Sequence, residues 1–353
     1  MTIHRCVQKI GPAWLVLLCA PAGLPQPAAD VRVDVNLVRV PCSVTDKNGA
    51  AVRGLRKDEF SVLEDGVPRK VEYLWQESDL PITVGVVADI SALKRRQLDQ
   101  HQETIMRFAK HVLAPTDRAF LVSVDTQQRL MAELSSSAES LRTGVEDLGK
   151  RPGAILGDAC ASGSRGTGCG CAALWNGVYF AARLKLRSQA GPKALILLTD
   201  GWDTGSDHSL VDAIEASQGA DAVVYSLRPQ TEWILLGSYW KVKERPETRN
   251  PLRTLVDVGW GSVTQPTRTW IAGELAKGRS DLERISQETG GLAFEESPGK
   301  LSEVFDRIES DLRSQYVLGY IAHATGPRRY RKIQVKVTRA GLRVRARQGY
   351  YPN

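Results

Sequence analysis

The sequence predicts an α/β fold: a doubly wound, mainly parallel sheet, accompanied by a small β-rich module formed by the N- and C-terminal segments. Three observations carry this. The nearly unbroken apolar runs at 82–88 and 193–198 read as strands buried on both faces of a parallel sheet. Helix-like stretches alternate with these runs, which is the βαβ rhythm of a sheet with helices on both sides. Period-two alternation dominates 31–77 and the last forty residues, as expected of strands with one face in water. The 353 residues exceed an average domain of about 150, and 42% hydrophobic with 25% charged residues is globular composition, so a large core plus a satellite is expected.

Residues 1–29 read as a secretory signal peptide. Arg5 and Lys9 precede an apolar run from Ala13 to Ala20, and Ala20-Pro21-Ala22 offers small residues for cleavage. The run is shorter than the roughly 20 residues a spanning helix needs, and no later stretch reaches that length. A secreted or periplasmic chain with no membrane span after cleavage is expected. Segment 31–77 then reads as β throughout: a strand continuing through Cys42 and Val44 to a hairpin turn at Asp46-Lys47-Asn48-Gly49, a helical turn at 55–60, and a second hairpin, 61–64 with 69–75, around Asp65-Gly66. The α/β domain is expected over 81–313. Its strands are placed at 82–88, 119–124, 129–133, 193–198, 222–227 and 292–295, and its helices at 94–113, 138–148, 172–186, 209–218, 280–289 and 301–313. Residues 229–276, with Trp233, Trp240, Trp260 and Trp270 among Pro, Gly and Arg, read as an insertion whose tryptophans cap a small accessory core. Strand patterns at 316–321, 330–338 and 342–348 lie in a C-terminal β segment, 314–353, expected to pack with 31–77.

Loss of residues 1–29 removes two basic and no acidic groups and leaves 45 Lys+Arg against 40 Asp+Glu. Many of these cations, Arg331, Lys332, Lys336, Arg343, Arg345 and Arg347 among them, alternate with Ile333, Val335, Val337 and Val344. They read as the solvent side of β-strands, and no nucleic-acid partner is expected. Of six cysteines, Cys42, Cys160, Cys169 and Cys171 follow the signal and are disulfide candidates in an oxidising compartment, with three pairings open. A thiolate metal site is the alternative for the clustered three, but no histidine lies near them.

In a doubly wound sheet the ligand site lies at the C-terminal ends of the strands, and Asp89 and Asp200 both fall there. Asp89-Ile90-Ser91 supplies a carboxylate and a hydroxyl, and Asp200 a second carboxylate: hard oxygen ligands suited to Mg²⁺ or Mn²⁺, with water completing the shell. No Gly-x-Ser-x-Gly elbow or His-Glu-x-x-His motif is present, so binding rather than catalysis is expected, with no catalytic residue assigned. An extracytoplasmic hydrolase using Asp89 and Asp200, or a purely structural envelope component, are the alternatives.

Through residues 86–91 and 197–203 the chain resembles the von Willebrand factor A domain. The wider sequence is similar to the bacterial von Willebrand factor A-related family described from acidobacteria, on Val44-Thr45-Asp46-Lys47-Asn48-Gly49, Phe60-Ser61-Val62-Leu63-Glu64-Asp65-Gly66, Tyr316-Val317-Leu318-Gly319-Tyr320 and Gln348-Gly349-Tyr350-Tyr351. The resemblance implies a metal-ion-dependent adhesion site with Asp-x-Ser-x-Ser on one loop, Thr on a second and Asp on a third. Asp89, Ser91 and Asp200 match it. Leu93 replaces the last Ser, and Ala172 or Cys171 stands where the Thr belongs, so the site is expected to be degenerate. The implied partner is a protein, met by the top of the domain.

Overall fold

Strand β1 (Leu37–Thr45) turns Val38, Val40, Cys42 and Val44 into the β core, but residues 40–45 are buried on both faces, so the expected solvent face is confined to its first residues. The computed structural model describes residues 37–76, 80–91, 95–150, 172–229, 268–296, 299–322 and 329–352. The expected signal peptide, Leu93, Cys160, Cys169, Cys171 and positions 230–267 of the expected insertion lie outside the described residues.

After β1 come a 3-10 turn at Lys57–Glu59, β2 (Phe60–Glu64), β3 (Val67–Arg69) and β4 (Tyr73–Gln76). The α/β part then runs β5 (Thr83–Asp89), α1 (Arg95–Val112), β6 (Arg118–Val124), β7 (Gln128–Ser135) and α2 (Ala138–Glu146). Next are α3 (Leu174–Phe180), which continues as a π-helical turn over Ala181–Leu186, β8 (Lys193–Leu198), α4 (Leu210–Gly219) and β9 (Ala222–Pro229). It ends with α5 (Arg268–Thr289), β10 (Ala293–Glu296) and α6 (Leu301–Arg313). Strands β11 (Tyr316–Ile321), β12 (Arg331–Val337), β13 (Arg343–Ala346) and β14 (Gly349–Tyr350) close the chain.

The central sheet has the order β10-β9-β8-β5-β6-β7 and is parallel except for β7, which runs antiparallel to β6. Every residue of β5 and β8 is buried, which is why their sequences are apolar on both sides of the pleat. Val84, Val86 and Ala88 pack on one face against Ile105 and Phe108 of α1, Val145 of α2, and Phe305 and Ile308 of α6. Val87, Leu195 and Leu197 pack on the other against Val178 of α3, Ile214 of α4, and Leu282 and Ile285 of α5. The sheet is thus doubly wound, with three of the described helices on each face.

The terminal segments make two four-stranded sheets, β13-β1-β11-β4 and β14-β12-β2-β3, closing on one core that holds Val40, Val62, Tyr316, Leu318 and Ile333. Three local readings need correction. The turn at Asp46 forms, with the backbone N–H groups of Asn48 and Ala50 donating to its carboxylate, but β1 pairs with β11 and β13 and meets the chain beyond the turn only at a Thr45–Ala51 bridge. The strand expected over 69–75 is broken in two: β3 pairs with β2 across Asp65-Gly66, whose φ values of 50° and 82° suit a two-residue hairpin, whereas β4 crosses to β11 in the other sheet. The helix expected from Ser280 begins at Arg268, inside the segment read as an insertion.

The cations near the C-terminus are not uniformly on the solvent side. Arg331 is buried against Glu64 at 3.3 Å, Arg347 against Asp221 at 3.2 Å, and Arg345 pairs with the buried Asp311 of α6. Burial without a counter-charge is costly, so strand alternation gives way to ion pairing here. Cys42, expected as a disulfide candidate, is a free thiol inside the β core, and burial pushes its pKa up to about 12. No described helix is long and apolar enough to cross a membrane.

Candidate functional site at the sheet rim

Strand β5 leads to β6 on one side and, later in the chain, to β8 on the other, so the connections diverge between β5 and β8 and leave a crevice at the C-terminal rim. Asp89 ends β5, and Asp200 follows β8 by two residues. Asp89 is buried and tied from two sides. Its Oδ1 accepts from the Ser91 N–H at 3.0 Å and the Ser91 hydroxyl at 2.7 Å, and its Oδ2 accepts from the Thr199 hydroxyl at 2.7 Å. Thr199 Oγ1 in turn accepts from the Gly201 N–H at 3.0 Å, and Asp200 Oδ1 accepts from the Trp202 N–H at 2.9 Å. Ser91, Asp89 and the 199–202 loop therefore form one hydrogen-bonded unit.

Burial raises the Asp89 carboxyl, the Ser91 and Thr199 hydrogen bonds oppose the rise, and the Asp125 charge adds to it. Asp200 is pushed up to about 7, first by burial and then by the Asp89 charge, against the pull of Arg228. Asp200 thus feels the Asp89 charge, and Thr199, its chain neighbour, bonds directly to Asp89.

The first loop position is secured by the Ile90 N–H, which donates to the Val124 carbonyl at 2.8 Å, and Asp125 just beyond is engaged by Arg129 at 2.5 Å. On the second loop Ala172 is buried and has no hydroxyl to offer. Its carbonyl accepts from Thr204 and Gly205 N–H, and the Ala173 N–H donates to the Asp125 carbonyl at 2.8 Å. Backbone contacts thus hold Ala172 and Ala173 against the loop after β8 and the turn after β6.

Three residues not singled out from the sequence organise the rim. Thr199 buttresses Asp89 as described. Asp203 Oδ1 accepts from the Leu174 N–H at 2.8 Å, the Trp175 N–H at 3.3 Å and the Ser206 hydroxyl, joining the third loop to the start of α3. Asn176 Oδ1 accepts from the Asp207 and His208 N–H groups at 3.1 and 2.9 Å. Thr199 adjoins Asp200 in a motif already noted, and a hydroxyl next to a rim carboxylate is a usable signal. Asp203 and Asn176 act on backbone about thirty residues away, which leaves no local trace. His208 stacks on Tyr179, with ring centroids 3.8 Å apart.

The oxygens of Asp89, Ser91, Thr199 and Asp200 fit a hard divalent cation, which would relieve the repulsion between the two raised carboxyls. Among the described residues no group of three or more His, Cys, Asp or Glu stands in metal-holding geometry, so water would have to complete the shell.

No family model matches this chain, nor does any curated protein. Among solved structures it is similar to the conserved hypothetical protein BatB from Bacteroides thetaiotaomicron, at 14% identity over 66% of this chain and 100% of that one, with a TM-score of 0.41. A von Willebrand factor type A protein from Catenulispora acidiphila is 12% identical over 90% of this chain and 74% of that one, with a TM-score of 0.40. Proximal thread matrix protein 1 from the mussel byssus, with a zinc-occupied MIDAS motif, is 14% identical over 69% of this chain and 48% of that one, with a TM-score of 0.42.

Proposed function

We propose that this chain is an exported, non-enzymatic binding module of von Willebrand factor A type that recognises a protein partner through the C-terminal rim of its parallel sheet. Its adhesion site is degenerate: Asp89, Ser91 and Asp200 hold Mg²⁺ or Mn²⁺, with water where the second-loop hydroxyl is missing. The domain spans 81–313, and 31–77 packs with 314–353 as its β-module. The observation that carries this reading is the placement, at the divergence between β5 and β8, of the buried Asp89 carboxyl, held by the Ser91 and Thr199 hydroxyls, beside Asp200, whose proton affinity is raised in part by the Asp89 charge. A bound cation with a free vertex recruits a partner's carboxylate at such a rim. Export rests on residues 1–29.

Capture of partners from an envelope extract tests it. The wild-type chain is expected to retain a protein that a chelator releases and that Asp200→Asn does not capture. Retention indifferent to both changes would contradict the adhesion mechanism and favour a structural envelope component. A hydrolase is favoured by one observation only, the elevation of Asp200 to about 7, which suits a general acid. Turnover of phosphate, glycoside or peptide substrates that is lost in Asp200→Asn would establish it.

A further inference from the structure

We infer that the cleft beside this rim receives the guanidinium group of an arginine on the partner. The cleft, ≈ 410 Å³, opens between the loop that follows β8 and one face of α5. That volume lies within the range of roughly 300–1,000 Å³ typical of ligand pockets. Trp175 and Trp202 provide aromatic wall, and Asp207, Glu274 and Asp281 provide carboxylates against the single cation Lys277. Glu274, Gly278 and Asp281 stand at i, i+4 and i+7, so α5 turns both acids and the glycine toward the same cleft.

Gly278 fixes where the cleft sits. A Cβ there would lie 2.8 Å from the Asp200 carbonyl oxygen, so the α5 backbone touches the 200–201 backbone and the cleft adjoins the carboxylate pair. Asp203 commits its Oδ1 to the Leu174 and Trp175 N–H groups and the Ser206 hydroxyl, and adds its charge to the cleft wall. Among the described residues Asp207 accepts just a 3.4 Å contact from the Asn176 amide, and Asp281 is raised chiefly by burial, with Glu274 adding to the rise against Lys277 and Arg284. A cation entering the cleft meets carboxylates with acceptor capacity to spare.

Guanidinium suits this lining better than ammonium. It is planar, weakly hydrated, stacks on indole and pairs two-pronged with carboxylates. Docking of a protein on this rim is the premise, and the cleft then selects partners that carry an arginine beside their metal-directed acid.

Calorimetry with N-acetyl-arginine amide, N-acetyl-citrulline amide and N-acetyl-lysine amide tests it on the full chain. Saturable binding of the arginine probe is expected, with the neutral citrulline probe and the lysine probe each at least tenfold weaker. Glu274→Gln with Asp281→Asn should weaken the arginine probe at least tenfold with an unchanged melting temperature. Asp200→Asn should still bind the probe while losing the envelope partner, which separates a failure of the cleft from a failure of the adhesion site. No saturable arginine binding, equal binding of citrulline or lysine, or an indifferent double variant would overturn the assignment.

Discussion

Asp200 binds its proton more tightly in the folded protein than in the unfolded chain, because its carboxyl rises from 3.8 to about 7. The sign follows directly. Between about pH 4 and pH 7 the folded state holds the extra proton, so this group's contribution to stability falls as pH rises through that window. In chelator, the melting temperature of the wild-type chain should therefore drop more between pH 5 and pH 8 than that of Asp200→Asn, and the variant should be the more stable at pH 8. Parallel curves would mean that the carboxyl is not raised. Asp203 makes a different contribution, since it accepts from two backbone N–H groups at the start of α3 and from Ser206. Asp203→Ala leaves those donors without their acceptor and should cost about 2 kcal/mol, read from the urea midpoint. An unchanged midpoint would remove Asp203 from the support of the rim. Asp89 and Asp200 were legible in the sequence because each directly follows or ends a fully buried run. Asp203 and Asn176 were not, since side chains that bond to distant backbone impose no residue pattern at the far end.

The elements that the sequence located best are those whose burial is extreme. Strand β8 occupies the expected 193–198 because all six of its residues are buried, so the apolar run ends where the strand ends. Helix α5 was expected only from Ser280, because Gly273, Lys277, Gly278 and Arg279 interrupt the apolar period upstream. Gly278 is there for packing: the 199–203 loop and α5 approach backbone to backbone, and a Cβ on Gly201, whose φ is +84°, would lie 2.4 Å from the Gly278 carbonyl oxygen. Neither side can yield by rotating a side chain. Gly201→Ala should cost roughly 2–3 kcal/mol in thermal unfolding, from strain at positive φ plus the displaced helix, and a cost below about 0.5 kcal/mol would contradict the contact. The pairings of β1 and β4 escaped local reading for a related reason: a turn at Asp46 or Asp65 shows where the chain bends, while the partner strand, β11, lies more than two hundred residues away.

At the scale of the molecule, the terminal β strands are fastened to the α/β part by buried ions. Arg345 meets Asp311 on α6, Arg347 meets Asp221 and the Gln218 carbonyl at the end of α4, and the Gln348 N–H donates to the Glu288 carbonyl at the end of α5. Removing one partner of a buried pair strands the other charge, at a cost of about 3–5 kcal/mol. A chain ending at residue 328 should therefore lose cooperative unfolding throughout, measured by circular dichroism melting, and a truncated chain that melts like the full one would show the two parts to be independent. The shared rim is where fold and function meet, and divalent-ion calorimetry probes it most directly. Mg²⁺ or Mn²⁺ titrated into the full chain should give a saturable one-site heat that Asp89→Ala abolishes, whereas no heat from either ion, or an undiminished heat in the variant, would contradict a cation held between Asp89 and Asp200.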